Sequence, residues 1–338
     1  MSKTFDIAVV GATGIAGEAL LDQLAARRFP IGTLYALGNE DAVGERVQYG
    51  EGSIRVADIA GFDYSLVQLV FLAPDESDRA DTIPRAIEAG CYVIDVTSQA
   101  GFETDLPPVL AGVNEHAIAS CIAQRYFRNP SCASMLIWPV LKPIYDLFGI
   151  DRVDVTILQA VSGRGRQGLE ELASQTANLL NAKPIEIATF PAQIAFNAIS
   201  YAEVEQDSEF SADEMRIMSE ARILLGDAAV IVNPIFLTIP VFYGDCLVCT
   251  LILRDPGELE EVIQAWNRNK EVKFQPVSAD TFPTPVSTAG SAKIHICRVR
   301  QDPVDPRGLS LALVGDCSRA GMARNSVQIA EILVKDYL

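Results

Sequence analysis

The chain has 338 residues, a formal net charge of −17 and an apolar fraction of 49%. This length allows two domains with separate cores, and the negative charge argues against a nucleic-acid or anionic-membrane partner. The longest apolar stretches are too short to span a bilayer, and residues 1–6 lack a signal-peptide pattern. We therefore expect a cytoplasmic protein without a membrane partner.

The first predicted elements are a strand over residues 6–10, a glycine loop over 11–17 and a helix over 18–24. This order is typical of dinucleotide-binding sites, where backbone N–H groups approach a pyrophosphate at a helix N-terminus. The spacing is G-x-x-G-x-x-G rather than the commoner G-x-G-x-x-G, so a tight turn without a ligand remains the alternative. The predicted cofactor-binding residues of the loop are Gly11, Ala12, Thr13, Gly14 and Ile15.

Strand and helix patterns continue to alternate after the glycine loop. This alternation predicts an α/β fold with a doubly wound parallel sheet of the Rossmann type to about residue 125. From residue 153 onward, longer strand patterns with interspersed helices predict a second, α+β domain on a mostly antiparallel sheet. Residues 319–338 are predicted to form one helix with an apolar stripe.

Seven cysteines are scattered singly, without the C-x-x-C spacing of zinc sites. This pattern predicts no metal site, fits a reducing compartment and suggests buried thiols. Cys132 is the exception, because the tetrapeptide N-P-S-C over 129–132 places its thiol where a helix begins. A helix N-terminus favours thiolate over thiol, so Cys132 is a candidate nucleophile. His116 and His295 are expected to be structural.

Five landmarks keep their order across nearly the whole chain. They are the glycine loop, N-P-S-C at 129–132, Q-A-V-S-G at 159–163, I-P-V-F-Y-G at 239–244 and an ending from V-G-D at 314–316 to R-A-G at 319–321. Together they resemble the aspartate-semialdehyde dehydrogenase family, which makes a semialdehyde by reductive dephosphorylation of an acyl phosphate with NADPH.

The resemblance implies a Rossmann-type domain of residues 1–127 that is completed by residues 318–338. It also implies a catalytic and dimerisation domain of residues 128–317, which forms a homodimer through its sheet. The family's activity is that of an oxidoreductase in amino-acid biosynthesis, with NADP as cofactor and a small molecule as substrate.

The same resemblance assigns roles to residues of the site. Cys132 is the nucleophile, Gln159 orients the acyl group, and Ser162 and Gly163 lie near the nicotinamide. A thiolate would displace phosphate, and the resulting thioester accepts hydride more readily than a carboxylate does.

The chain departs from the family at three positions. Asp245 stands where the family has its acid–base histidine, and a carboxyl of ordinary pKa, about 3.9, is a poor proton donor at neutral pH. The family has a phosphate-binding arginine in the segment that corresponds to residues 97–101, but here this segment reads T-S-Q-A-G. Thr238 stands where the family has a carboxylate-binding arginine. Each lost charge-assisted pair costs roughly 1.5–3 kcal/mol.

Two arginines and an acidic loop bear on ligand choice. Arg216 lies where the family has a phosphate-contacting lysine. Arg164 is a candidate replacement anchor for a carboxylate or phosphate, with a solvated loop arginine as the alternative. Glu40 and Asp41 lie in the expected ribose loop and would repel a 2′-phosphate, which favours NAD over NADP.

Two functional hypotheses remain open. The first is an oxidoreductase like aspartate-semialdehyde dehydrogenase, with Cys132 as nucleophile and Asp245 or a water in place of the histidine. The second is a catalytically degenerate paralogue that keeps the fold and the dimer and acts as a binding or interaction protein. The changed site residues favour the second hypothesis, whereas the intact Cys132 favours the first. A structural protein without a ligand explains the glycine loop less well.

Overall fold

The computed structural model describes residues 3–73, 76–97, 105–200, 209–276 and 282–338, and for residues 76–78 it describes the backbone only. The chain divides into two compact units, Met1–Met135 with Gly321–Leu338, and Leu136–Ala320. The sequence placed the first boundary at 127/128. In the structure it lies a few residues later, inside the helix that begins at Cys132.

The first unit contains a seven-stranded sheet within its described residues. Its strands are β1 (Phe5–Val10), β2 (Ile31–Gly38), β3 (Arg46–Tyr49), β4 (Gly52–Asp58), β5 (Leu69–Leu72), β6 (Tyr92–Asp95) and β7 (Tyr126–Arg128). Their order is β3-β4-β2-β1-β5-β6-β7, and only the edge pair β3–β4 is antiparallel among these described strands. This order confirms the doubly wound fold and places the switch point at β1, where such sheets bind ligands.

Helices cover the parallel sheet of the first unit. They are α1 (Ile15–Ala26), α2 (Glu76–Glu88), α3 (Ile118–Cys121) and the C-terminal α9 (Arg324–Asp336). Val327, Ala330 and Leu333 of α9 are fully buried in the same core as the strands. The last helix therefore belongs to the first unit.

The predicted single helix over 319–338 is wrong in its first part. Cys317–Ala323 is a π-helical segment, and α9 begins only at Arg324. A π-helix has a wider turn than an α-helix, and an apolar stripe over so few residues does not distinguish the two.

The second unit has a six-stranded mixed sheet within its described residues. Its strands are β8 (Ile150–Gln159), β9 (Ile231–Thr238), β10 (Asp245–Leu253), β11 (Val272–Phe274), β12 (Ile294–Gln301) and β13 (Gly308–Gly315), in the order β11-β12-β13-β10-β8-β9. Three pairs are antiparallel, whereas β8–β9 and β11–β12 are parallel. The accompanying helices are α4 (Cys132–Phe148), α5 (Gly165–Leu180), α6 (Ala212–Leu225), α7 (Leu259–Arg268) and α8 (Pro285–Thr288).

The two faces of this mixed sheet differ in exposure. Leu247 of β10 is paired with Leu313 of β13, and both are fully buried. Val248 and Ile235 lie on the opposite face, where they are 43% and 52% exposed. One face therefore forms the core of the second unit, and the other presents apolar side chains at its surface.

Helix α4 runs through two prolines, Pro139 and Pro143. Proline lacks an N–H group and leaves the carbonyl four residues earlier without its helical donor. Those carbonyls belong to Met135 and Pro139. The structure supplies side-chain donors to both: Nη2 of Arg324 to Met135 and Nδ2 of Asn269 to Pro139, each at 3.4 Å. The helix therefore continues to Phe148.

Within the described residues, no helix combines the length and apolar character needed to cross a bilayer.

Candidate active site

The glycine loop lies at the carboxyl end of β1. Gly11 has a φ of +73°, and its N–H and that of Ala12 donate to the carbonyl of Leu37 at 2.9 and 3.2 Å. A Cβ atom on Gly17 would overlap the Gly11 carbonyl oxygen and lie 2.8 Å from the Ala12 Cα. The loop is therefore packed against the first turn of α1 too closely for side chains, as a pyrophosphate-binding loop requires.

An acidic turn follows β2, the strand next to β1. Glu40 and Asp41 are exposed in the short turn Glu40–Ala42, whereas Ala42 is buried beneath them. The two carboxylates therefore lie near the carboxyl end of β2, on the same edge of the sheet as the glycine loop.

Cys132 is the first residue of α4, so the predicted helix start is confirmed. The turn before it is held by Asn129, which is fully buried. Asn129 Nδ2 donates to the Val96 carbonyl at 2.8 Å and to Ser326 Oγ at 3.0 Å, and Oδ1 accepts from Asn325 Nδ2 at 2.8 Å. This hydrogen-bond network fixes the backbone that presents the sulfur.

The sulfur of Cys132 is not a free thiol in this structure. Cys132 and Cys317 are both disulfide-bonded, whereas the sequence led us to expect seven thiols. Cysteines scattered singly give no signal of disulfide bonding in the sequence. The free cysteines are Cys91, Cys121, Cys246, Cys249 and Cys297. Burial raises their pKa, to about 12 for Cys249, so they are poor nucleophiles.

Gln159 and Asp245 lie at adjoining strand ends in the second unit. Gln159 ends β8, and the next N–H, that of Ala160, donates to Asp245 Oδ1 at 2.8 Å. A Cβ atom on Gly163 would stand 3.0 Å from Gln159 Nε2, so the amide side chain packs directly on this glycine. The structure thus brings together three residues that the sequence assigned to the site.

Asp245 does not have the ordinary pKa that the sequence suggested. The residue is only 8% exposed, and burial of its carboxyl group raises the pKa to about 7. The Ala160 N–H opposes the shift, and the negative charge of Asp316 adds to it. A carboxyl group with this pKa can both donate and accept a proton at neutral pH.

The two predicted substrate-binding arginines differ in their surroundings. Arg164 ends the short turn Val161–Arg164 and is exposed, without an ion pair in the part of the chain that the structure describes. Arg216 of α6 instead donates from Nε to the buried carboxylate of Glu220 at 3.0 Å. The N–H of Ser162 bonds the Phe242 carbonyl, which ties the turn to the 239–244 segment.

The remaining predicted positions are placed as follows. Thr238 ends β9 and exchanges backbone hydrogen bonds with Ile199. Residues 98–101, where the family has an arginine, lie outside the described residues. His295 lies in β12, and its ring contacts Ser291 Oγ at 3.2 Å and Gln275 Oε1 at 2.6 Å. His116 is exposed in the turn Glu115–Ala117.

The two units match two family models. The model described as "Semialdehyde dehydrogenase, NAD binding domain" matches residues 6–121, and "Semialdehyde dehydrogenase, dimerisation domain" matches residues 141–318. Full-length relatives agree: the chain is 38% identical to "Aspartate-semialdehyde dehydrogenase 2" of Vibrio cholerae, with 100% of both chains covered. The chain belongs to the aspartate-semialdehyde dehydrogenase family.

Two further similarities are to proteins that carry different names. A solved structure described as aspartate semialdehyde dehydrogenase II complexed with ASA, from Vibrio cholerae, superposes with a TM-score of 0.94 at 37% identity, with 100% of both chains covered. At the same level of identity, 37% with 100% of both chains covered, the chain also matches the "USG-1 protein homolog" of Pseudomonas aeruginosa. Members of similar distance therefore carry different names.

Sequence reasoning missed three features of this family member. The anchoring role of Asn129 and the burial of Asp316 both fall in motifs that carried the resemblance, but the motifs alone assign them no role. The disulfide-bonded state of Cys132 had no sequence signal.

Proposed function

We propose that the protein is an oxidoreductase of the aspartate-semialdehyde dehydrogenase type, which interconverts an acyl phosphate and a semialdehyde. The observation that carries this proposal is the environment of Asp245. This residue replaces the family's histidine, and its pKa of about 7 suits proton transfer at neutral pH as imidazole does. The substitution is therefore compatible with catalysis.

Cys132 is the proposed nucleophile once it is reduced. Its thiolate, favoured at the start of α4, attacks the carbonyl carbon of the acyl phosphate. A carbon–sulfur bond forms, the carbon–oxygen bond to phosphate breaks, and phosphate leaves. The Gln159 amide orients the acyl oxygen. Asp245 donates a proton when the thioester is reduced to the aldehyde, and it accepts one in the reverse reaction.

The proposed cofactor is a nicotinamide dinucleotide, which supplies the hydride when bound. The Gly11–Ile15 loop would hold the pyrophosphate through its N–H groups, and Ser162 with Gly163 would flank the nicotinamide. The exposed carboxylates of Glu40 and Asp41 disfavour a 2′-phosphate, so we expect NAD to bind more tightly than NADP.

The proposed substrate anchor is Arg164. Its guanidinium is exposed and without an ion pair in the described residues, so it is available to a carboxylate or phosphate. The charge of Arg216 is already engaged by Glu220, and Thr238 offers no charge. We therefore expect a higher KM for a dianionic acyl phosphate than a site with an available arginine at all three of these positions would have.

The proposed assembly is a homodimer, and the proposed setting is amino-acid biosynthesis in the cytoplasm. The match to a dimerisation domain and the exposed apolar sheet face around Val248 and Ile235 support the dimer. An open face of this kind is typical of protein–protein interfaces.

The second candidate function is that of a degenerate paralogue acting as a binding or interaction protein. The observation that favours it is Thr238 in place of the carboxylate-binding arginine. The USG-1 homolog, a full-length relative, shows that chains this similar are not all named for the dehydrogenase activity.

One assay separates the two candidates. Reduced protein is given aspartate semialdehyde, phosphate and either NAD or NADP, and reduced nicotinamide is followed by absorbance. The proposed enzyme gives a phosphate-dependent signal, because phosphate is the acyl acceptor. Dinucleotide binding by calorimetry without turnover on either cofactor would reject the proposed enzyme in favour of the paralogue.

A further inference from the structure

Two buried carboxyl groups lie at neighbouring strand ends of the second unit. Asp245 begins β10 and is paired with Gly315 of β13, the residue before Asp316. Asp245 is 8% exposed and Asp316 4% exposed. Neither forms an ion pair within the stretches of chain that the structure describes. Two adjacent buried carboxylates repel each other, so this pair is expected to retain one proton.

The hydrogen-bond donors show which group carries the charge. Asp316 Oδ1 accepts from the N–H and the hydroxyl of Ser318, at 3.1 and 2.6 Å, and Oδ2 accepts from the Gly290 N–H at 2.9 Å. An ionised carboxylate is an acceptor only, and this site offers it three donors. Asp245 accepts one N–H bond, from Ala160. The proton therefore resides on Asp245.

We propose that Asp316 is a positioning residue that holds the proton on Asp245, so that Asp245 enters the reaction as a carboxylic acid. Its catalytic meaning rests on the proposed function, in which Asp316 acts only through Asp245.

The other groups around Asp245 add little charge. The end of β8 contributes Gln159 and the Ala160 amide, and Pro285, the first residue of α8, packs against Gly244. Cys246, the next residue of β10, is the other titratable neighbour, and burial raises its pKa, so it stays a neutral thiol at neutral pH. Among the described residues, Asp316 is thus the charge that adds to the effect of burial on Asp245.

The direct test is the titration of the Asp245 carboxyl in reduced protein. Aspartate labelled with ¹³C at the carboxyl carbon is incorporated, and the Asp245 resonance is identified by its loss in Asp245→Asn. We expect a midpoint of about 7 in the wild type. Asp316→Asn should lower this midpoint measurably, because a like charge is removed, while burial keeps it above that of a free aspartate.

Ser318→Ala is the matched control. It removes one hydrogen-bond donor of Asp316 but leaves the negative charge, so the Asp245 midpoint should stay raised. If Asp316→Asn fails to fold because its amide opposes the Gly290 N–H, Asp316→Ser removes the same charge with a smaller side chain. An unchanged Asp245 midpoint in the folded neutral variant, or a wild-type midpoint near that of a free aspartate, overturns the proposal.

The pH profile of kcat gives a second, independent result. In the reductive direction, with acyl phosphate and reduced nicotinamide as substrates, the alkaline limb should move to lower pH in Asp316→Asn by the same amount as the carboxyl midpoint, with KM little changed. A shifted carboxyl midpoint in protein without turnover would support the coupling and reject the proposed function. Turnover with both midpoint and limb unshifted would reject the coupling and leave the proposed function in place.

Discussion

The two units keep the family's pattern in different ways. In the first unit, the glycine loop and the position of Cys132 at the start of α4 rely on backbone geometry, which local sequence specifies. In the second unit, side chains have changed, and Asp245 performs its proposed role only because its surroundings alter its pKa. A site that depends on backbone geometry can thus be predicted from local sequence. A site that depends on a shifted pKa can be predicted only when the three-dimensional surroundings of the group are known.

The largest expected effect concerns Cys132. Protein prepared without reductant should show no turnover, because a disulfide-bonded sulfur cannot attack a carbonyl, and reduction with dithiothreitol should restore activity. Thiol titration of the unfolded chain should count the five free cysteines before reduction and all seven after it.

The matched variants are Cys132→Ala and Cys121→Ala. Only the first should remain inactive after reduction, because Cys121 is a buried thiol elsewhere in the first unit. Equal activity of reduced Cys132→Ala and wild type would contradict the proposed nucleophile.

The next effect concerns the acid–base group of the second unit. Asp245→Asn should lower kcat by about 10²–10⁴-fold, because proton transfer by a positioned group contributes that much. Asp245→His restores the family's residue and should retain more activity than the asparagine variant. A comparison of kcat for the three proteins checks this, and equal values would show that water performs the proton transfer.

The same carboxyl predicts a pH dependence of stability. Its pKa is raised from 3.8 to about 7 in the folded protein, so its contribution is fully present below the lower value and lost as pH rises through the upper one. The free energy of unfolding of the wild type, relative to Asp245→Asn, should therefore fall between those values, on the order of a few kcal/mol. Urea melts across this range measure it, and a constant difference would contradict the shift.

A smaller effect is expected in the glycine loop. Gly17→Ala places a Cβ against the backbone of Gly11 and Ala12 and should cost about 1–3 kcal/mol of stability and weaken dinucleotide binding. Gly14→Ala is the control, because its Cβ would meet its nearest atom at 3.4 Å and its φ is −77°. Calorimetric melting compares the stability of the two variants, and dinucleotide titration follows Gly17→Ala. Similar losses of stability in both would contradict the packing argument.

The smallest effect concerns cofactor choice. Replacing Glu40 and Asp41 by their amides removes two exposed charges and should raise the affinity for NADP relative to NAD by about three- to tenfold, an effect weakened by salt. Glu51→Gln, in the turn between β3 and β4, is the exposed control. Titration with both dinucleotides measures the ratio. An unchanged ratio would show that the turn does not reach the ribose.

Most of the fold could be predicted from the sequence, because its elements have local signals. The alternation after the glycine loop gave the parallel sheet, and the N-P-S-C tetrapeptide gave the start of α4. The π-helical segment Cys317–Ala323 had no such signal, since its apolar pattern also fits an α-helix.

The site was less predictable than the fold. The residues of the 239–244 motif and Asp245 could be located, but the pKa of Asp245 depends on Ala160 and Asp316, which are distant in sequence. The disulfide-bonded state of Cys132 likewise could not be predicted, because the positions of single cysteines in a sequence do not reveal it.

The discontinuous makeup of the first unit has a consequence for how the protein is made. Its core includes Val327, Ala330 and Leu333, and the Asn129 network includes Asn325. A ribosome completes Leu136–Ala320 before it adds these residues. Domains generally fold as they emerge from the ribosome. The N-terminal sheet, however, stays partly uncovered until translation ends, because α9 is synthesised last. A chain that is truncated before α9 should leave this sheet uncovered, so in cells it should remain bound to chaperones or be degraded by proteases.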